Sequence, residues 1–446
     1  MSDAIYLPEF PKEKEFEEYI AAFLQANNLY VERNIVEREK KKEFLELDVI
    51  TTDYFSNVPT NKLYEMKSGG WGFADIFKIY GQMKHLNIDN GVLIVKEIDE
   101  DFEVITKKAD KLNIKVIHIS NDNDARINLE KVIDLTNLSE EDITTWRFSN
   151  WVERKMISDL KAKKKDRKLL RYDKINTYYN TIKSSTFFER YIRGKIKLLH
   201  NAYIENANLS ACCASEMLGQ SFYSSEALQN INAELFSKTF YDCEYNDLQI
   251  SSFVEYFARI SVLKNITECL IYESNNIKDK TDHFIEEKIN LGGRTYKIIK
   301  SITGDLTYSF EKAIKSLSKH KYFRLYPIFW QWFLWAFGGF ILNDYKELEY
   351  KNLSIKTGVP INEIDNALSV FDLLFPIDGG WFKSLQPHSN IKVLKMFSVP
   401  FRGIGVNYRR LIYAENKSYE DLKLTSPHTK NDLIKFVNCT FNLLNK

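Results

Sequence analysis

The sequence predicts an α/β N-terminal domain, a mixed sheet flanked by helices, followed by a mostly α-helical C-terminal region. Three observations predict it. Over roughly the first 120 residues, segments of helical and strand period alternate in the order α-β-β-β-α-β-α-β. Beyond them, apolar residues recur at helical spacing with few alternating runs. The charge divides along the same line: residues 1–120 carry 16 Lys+Arg against 22 Asp+Glu, and the remainder 46 against 39. A chain of 446 residues exceeds one compact core. We divide it into residues 1–122, a basic helical connector at 123–200, and a helical recognition or regulatory region at 201–446.

Lys12–Ala26 is read as a helix because Phe16, Tyr19, Ile20, Phe23 and Leu24 fall on one stripe, with Glu17 beside it. Leu29–Val36, Phe44–Thr52 and Lys62–Ser68 are strands; the last two are separated by a turn rich in Ser, Asn and Pro. Phe73–Leu86 is a helix with Phe73, Ile76, Phe77, Tyr80 and Met83 on its apolar side. Gly91–Val95 is continuously apolar, as a strand buried on both faces should be. Asp99–Leu112 and Ile114–Ile119 supply a last helix and strand, and the polar run SNDNDARIN suits a boundary.

Two of these strands carry unexpected charge. Asp48 interrupts an apolar strand, and Glu65 and Lys67 stand two apart on the next. Residues two apart share a strand face, so Glu46 and Asp48 point one way and Leu45, Leu47 and Val49 the other. Glu65 and Lys67 likewise share a face. If the strands are neighbours, Asp48, Glu65 and Lys67 converge. Such a cluster suits phosphodiester hydrolysis. Two hard carboxylates hold Mg²⁺ or Mn²⁺, Glu17 reaches in from its helix as a further ligand, and a nearby ammonium offsets charge on the transition state. The bland alternative is a solvated Glu65–Lys67 face with a surface salt bridge.

The segments FEEYIAAFL (Phe16–Leu24), ELDVI (Glu46–Ile50), YEMKS (Tyr64–Ser68) and IYGQMKHL (Ile79–Leu86) together resemble the PD-(D/E)XK nuclease superfamily, with its restriction-endonuclease-like fold, and most closely its Mrr-like and resolvase-like branches. The resemblance covers about the first 120 residues, with Leu47 standing where the motif has Pro. It implies that Asp48 and Glu65 are metal ligands, Lys67 the catalytic lysine, and Glu17 and Gln82 supporting residues, acting on DNA with Mg²⁺ or Mn²⁺. The function so implied is an endonuclease of restriction or anti-phage defence, expected as a homodimer and with a defence-system partner protein. A structure-specific repair nuclease is a second reading. A nucleic-acid-binding or sensing protein on a catalytically silent nuclease scaffold is a third.

From Arg154 to Lys197 the chain carries 15 Lys+Arg against 4 Asp+Glu. Lys161, Lys163, Lys164, Lys165, Arg167, Lys168 and Arg171 form the densest part, followed by tyrosines, a mixture suited to phosphate contact and base stacking. Farther on, Phe329–Leu342 is the most apolar stretch. It is interrupted by Gln331 and too short to span a bilayer, so we expect a buried central helix and no membrane role. Residues 346–386 read as a winged-helix-like segment with its turn at Thr357–Pro360 and its wing tip at Asp378–Trp381; its second helix is acidic and better suited to protein contact than to DNA. Arg402, Arg409 and Arg410 are candidates for a basic surface.

His85 near Gln82, and the Ser68-Gly69-Gly70 turn without a P-loop Lys-Ser/Thr, carry weaker signals. The five cysteines lack metal-ligand spacing and, with no apolar leader at the N-terminus, lead us to expect a cytoplasmic protein.

Overall fold

The computed structural model describes residues 4–5, 10–11, 14–39, 42–98, 100–133, 138–161, 172–189, most of 194–210, 247–274, 307–342, 345–374, 391–393, 401–413 and 428–429. After a two-residue strand, Ala4–Ile5, which pairs with His428–Thr429, the N-terminal part continues with α1 (Lys14–Ala26). Then come β1 (Tyr30–Glu39), β2 (Lys42–Asp53), β3 (Thr60–Lys67), α2 (Phe73–Leu86), β4 (Asn90–Val95), α3 (Phe102–Asp110) and β5 (Ile114–His118). The expected element order is therefore observed. The five strands form one mixed sheet in the order β1-β2-β3-β4-β5. The β1–β2 and β2–β3 pairs are antiparallel, and the β3–β4 and β4–β5 pairs parallel.

The two sheet faces bury different cores. On one, Phe16, Tyr19, Ile20 and Phe23 of α1 pack with Val49, Tyr64 and Val92. On the other, Ile76, Ile79 and Met83 of α2 pack with Leu63, Leu93 and Ile114. Helix α2 lies so close to β4 that a Cβ on Gly91 would stand 2.6 Å from Met83 Sδ and 2.9 Å from Ile79 Cγ2. Glycine is what permits that approach.

SNDNDARIN, polar enough to suit a boundary, holds all but the last residue of α4 (Asp122–Leu129). The Asn121 side chain caps it by accepting the Asp124 N–H at 3.0 Å, and Ala125 and Leu129, one turn apart, are buried. Polar composition hid a capped helix with one narrow apolar stripe. Helix α5 (Glu140–Lys161) follows, with Ser139 accepting the Asp142 N–H at its start.

The C-terminal region is helical. It contains α6 (Tyr172–Asn180), continued by a π-helical turn at Thr181–Ser185, then α7 (Asp247–Ser274), α8 (Thr307–Leu317) and α9 (Tyr326–Gln331). Helix α9 runs into a second π-helical turn, Trp332–Ala336. Gly338 and Gly339 then take left-handed φ of 68° and 74°, and the chain continues as β6 (Phe340–Leu342). The apolar stretch is thus buried throughout, as expected, but it is a helix, a glycine break and a strand rather than one helix. Among the described residues no helix is long and apolar enough to cross a membrane.

Helices α10 (Lys346–Thr357) and α11 (Ile364–Leu374) meet across a turn at Gly358, φ 71°. Strand β6 pairs antiparallel with β7 (Ile391–Val393) beyond them. The expected wing tip, Asp378–Trp381, lies outside the described residues. Arg409, on α12 (Arg402–Ile412), is fully buried and serves no basic surface; it pairs with Glu349. A run of arginines in a sequence does not show which one turns inward. The side chains of Arg402 and Arg410 are outside the described set.

The larger core is continuous from α1 through α5 to α7, α9 and α12. Polar clips fasten the C-terminal helices to the sheet's edge strand. The Gln331 amide donates to Val31 O at 3.0 Å and accepts from Val31 N–H at 3.2 Å. Lys264 pairs with Glu32 at 2.8 Å, and Arg33 with Glu153 at 2.7 Å. The residue that interrupts the apolar stretch is therefore the one that completes hydrogen bonds on a buried sheet edge.

Candidate active site

Strands β2 and β3 pair from Asp53↔Thr60 to Val49↔Tyr64 and no further. Beyond that point β2 continues against β1 with Ile35↔Leu47, and β3 continues against β4 with Glu65↔Leu93 and Lys67↔Val95. The two strands therefore part at Asp48 and Glu65, leaving a fork in the sheet. The Met66 N–H is taken up by Asp48 Oδ2 at 2.9 Å. Strict face alternation also slips here. Leu45 and Leu47 pack with Ile50 and Leu63 in the α2-side core, whereas Val49 packs with Tyr64 in the α1-side core. The expectation that Leu45, Leu47 and Val49 share a face is thus corrected. On β1, between the partners of Val49 and Leu47, Asn34 takes φ of 53°, a conformation asparagine tolerates better than most residues.

Around the fork the charges crowd. Glu65 is 1 % exposed. Lys67 Nζ lies 3.1 Å from Glu65 Oε1 and 3.4 Å from Asp75 Oδ1. Lys78 of α2 pairs with the same Glu65 Oε1. The other oxygen, Glu65 Oε2, is buried with no hydrogen-bond partner among the described residues. Asp75 also accepts the Gly72 N–H at 2.9 Å, fixing the start of α2 beside the site. Burial first, then the carboxylates of Glu65 and Glu17, push Asp48 from its ordinary 3.8 up to about 8, against the pull of the Met66 N–H and Lys78. Burial disfavours the Lys67 ammonium, but Glu65, Asp75 and Asp48 more than offset this and raise its pKa.

The sequence-predicted residues thus fall into three groups. Asp48, Glu65 and Lys67 are gathered at the fork, and Glu17 on α1 is close enough to act on Asp48 electrostatically. Gln82 stands back from the charges and donates to Glu46 O at 3.0 Å, tying α2 to the parted strand β2; its Oε1 is buried without a partner. Of the basic cluster, Lys161 ends α5, and Lys163, Lys164, Lys165, Arg167, Lys168 and Arg171 lie outside the described residues.

Sequence reasoning missed Lys78 and Asp75. Lys78 had a legible signal, since it lies four residues before Gln82 and so on the same face of α2. His85 is half exposed and faces Glu37 at 3.4 Å, away from this group. Side chains added at Gly69 or Gly70 would meet nothing within 4 Å.

Asp48 and Glu65 offer oxygen donors of the kind Mg²⁺ and Mn²⁺ use, and those ions need few protein carboxylates because they keep several waters. The unpartnered Glu65 Oε2 is such a donor. Among the described residues no group of three or more His, Cys, Asp or Glu stands ready to hold a metal. No family model, curated protein or solved structure matches the chain.

Proposed function

We propose that the chain is a Mg²⁺- or Mn²⁺-dependent nuclease of the PD-(D/E)XK type, cutting DNA phosphodiester bonds at the fork between β2 and β3. The observation that carries this reading is the meeting of Asp48, Glu65 and Lys67 at the point where two paired strands part, with a buried carboxylate oxygen left unpartnered. Asp48 and Glu65 would hold the cation, with Glu17 behind them. When bound, it would lower the pKa of a water and offset charge on the phosphate.

Lys67 keeps its proton at neutral pH, because its pKa is raised. Its role is then that of a fixed cation and hydrogen-bond donor to a phosphate oxygen, not that of a base. Asp75 and Glu65 hold it in place. Gln82 steadies β2 at Glu46, keeping the fork open on the side of Asp48.

Plasmid DNA with Mg²⁺ or Mn²⁺ tests the reading. Wild-type protein should nick or linearise it, EDTA should stop the reaction, and Asp48→Ala or Lys67→Ala should lower the rate by about a hundredfold or more. Equal rates in all three proteins would remove the enzyme reading. The rival, a nucleic-acid-binding scaffold without catalysis, draws on the two ammonium groups already neutralising Glu65. It expects binding without cleavage.

A further inference from the structure

We propose that Lys78 is a displaceable internal counter-ion. It pairs with Glu65 Oε1, would yield that oxygen to an arriving divalent cation, and would then face the substrate phosphate. This rests on the metal-dependent reading above. Two ammonium groups, from Lys67 and Lys78, meet one carboxylate oxygen, and the second oxygen has no partner among the described residues. One cation would suffice for one carboxylate, and two on the same atom repel each other.

The two lysines are held differently. Lys67 is on a strand, has Asp75 as a second partner, and its side chain is 27 % exposed. Lys78 is on a helix surface, its side chain is 42 % exposed, and among the described residues Glu65 is its one ion-pair partner. A four-carbon stem lets it swing to solvent without disturbing α2. No covalent bond or proton changes hands in the exchange: the ammonium leaves protonated, the dication takes the oxygen it vacates, and the charge at Glu65 rises by one, which favours an incoming phosphate.

The test follows Mn²⁺ binding by the electron paramagnetic resonance signal of the free ion, using the full chain. Removing a competing charge next to the ligand oxygen should tighten Mn²⁺ binding about tenfold in Lys78→Met and in Lys78→Gln. Lys78→Arg, which keeps the charge, should bind no tighter than wild type. At saturating Mn²⁺ Lys78→Met should cleave more slowly, having lost a phosphate contact. Equal Mn²⁺ affinity in wild type and either neutral variant, with circular dichroism showing both folded, would reduce Lys78 to a surface ion pair and overturn the proposal alone. Absence of Mn²⁺ binding in every protein would overturn the metal-dependent reading as well.

Discussion

Two buried glutamates in this molecule are treated in opposite ways. Glu349, in the C-terminal region, is fully enclosed and fully satisfied: Arg409 Nε meets one oxygen, and Arg409 Nη2 and the Leu342 N–H meet the other at 2.8 and 3.0 Å. The same guanidinium donates to the carbonyls of Phe337, Gly405 and Phe340. Every donor and acceptor is used. Glu65, at the fork, is almost as buried, yet two ammonium groups crowd one of its oxygens and the other has no hydrogen-bond partner among the described residues. A pair that exists to hold a fold is completed within the protein, because an unpaired buried charge is expensive. A carboxylate left incomplete has bonding capacity to spare, which is what the proposed cation site calls for.

That contrast can be broken by experiment. The largest effect is expected at Arg409. Arg409→Met strands a buried carboxylate and should lower stability by about 3–5 kcal/mol, measured by urea unfolding. A loss below about 1 kcal/mol would mean the pair is not the fastener described here. Glu65→Gln is the counterpart. It should lower the Mg²⁺-dependent cleavage rate by roughly a hundredfold while shifting stability by no more than about 1 kcal/mol, since its lysine partners are partly exposed and can re-solvate. A Glu65→Gln protein as destabilised as Arg409→Met would place both glutamates in the same structural class.

A smaller effect concerns pH. Because Asp48 is raised from 3.8 to about 8, the folded, metal-free chain binds a proton between those values that the unfolded chain does not. Its contribution to stability is full below about pH 4 and is lost as pH rises through about 8. The melting temperature of metal-free protein should therefore fall across that window. Asp48→Asn, which mimics the protonated form, should flatten the fall by about 1 kcal/mol or more between pH 5 and 8. Glu18, raised to about 7 chiefly by burial, supplies a remaining slope in the same direction. An unchanged profile in Asp48→Asn would show that burial and the neighbouring carboxylates do not raise Asp48 as described.

Much of the N-terminal architecture was legible in the sequence because it depends on local periodicity. The run of Phe16, Tyr19, Ile20 and Phe23 can only be amphipathic as a helix, and Gly91–Val95 can only be buried on both sides as an inner strand. The candidate residues were legible for a related reason, since a carboxylate inside an apolar strand advertises itself. What the sequence could not decide was everything set by non-local contact. Gln331 reads as a flaw in an apolar helix until the edge strand at Val31 is placed against it. Arg409 reads as surface charge until Glu349, sixty residues away in sequence, encloses it. The fork itself is of this kind. Strand parity placed Asp48 and Glu65 on faces able to meet. That the β2–β3 ladder ends beside them, that alternation slips at Leu47, and that Lys78 arrives from α2 are facts of pairing and packing between distant segments. Local pattern fixes what each segment is, because dihedral preference and side-chain period are properties of a few consecutive residues. Where a charge finds its partner depends on which segments the fold brings together, and only the tertiary structure decides that.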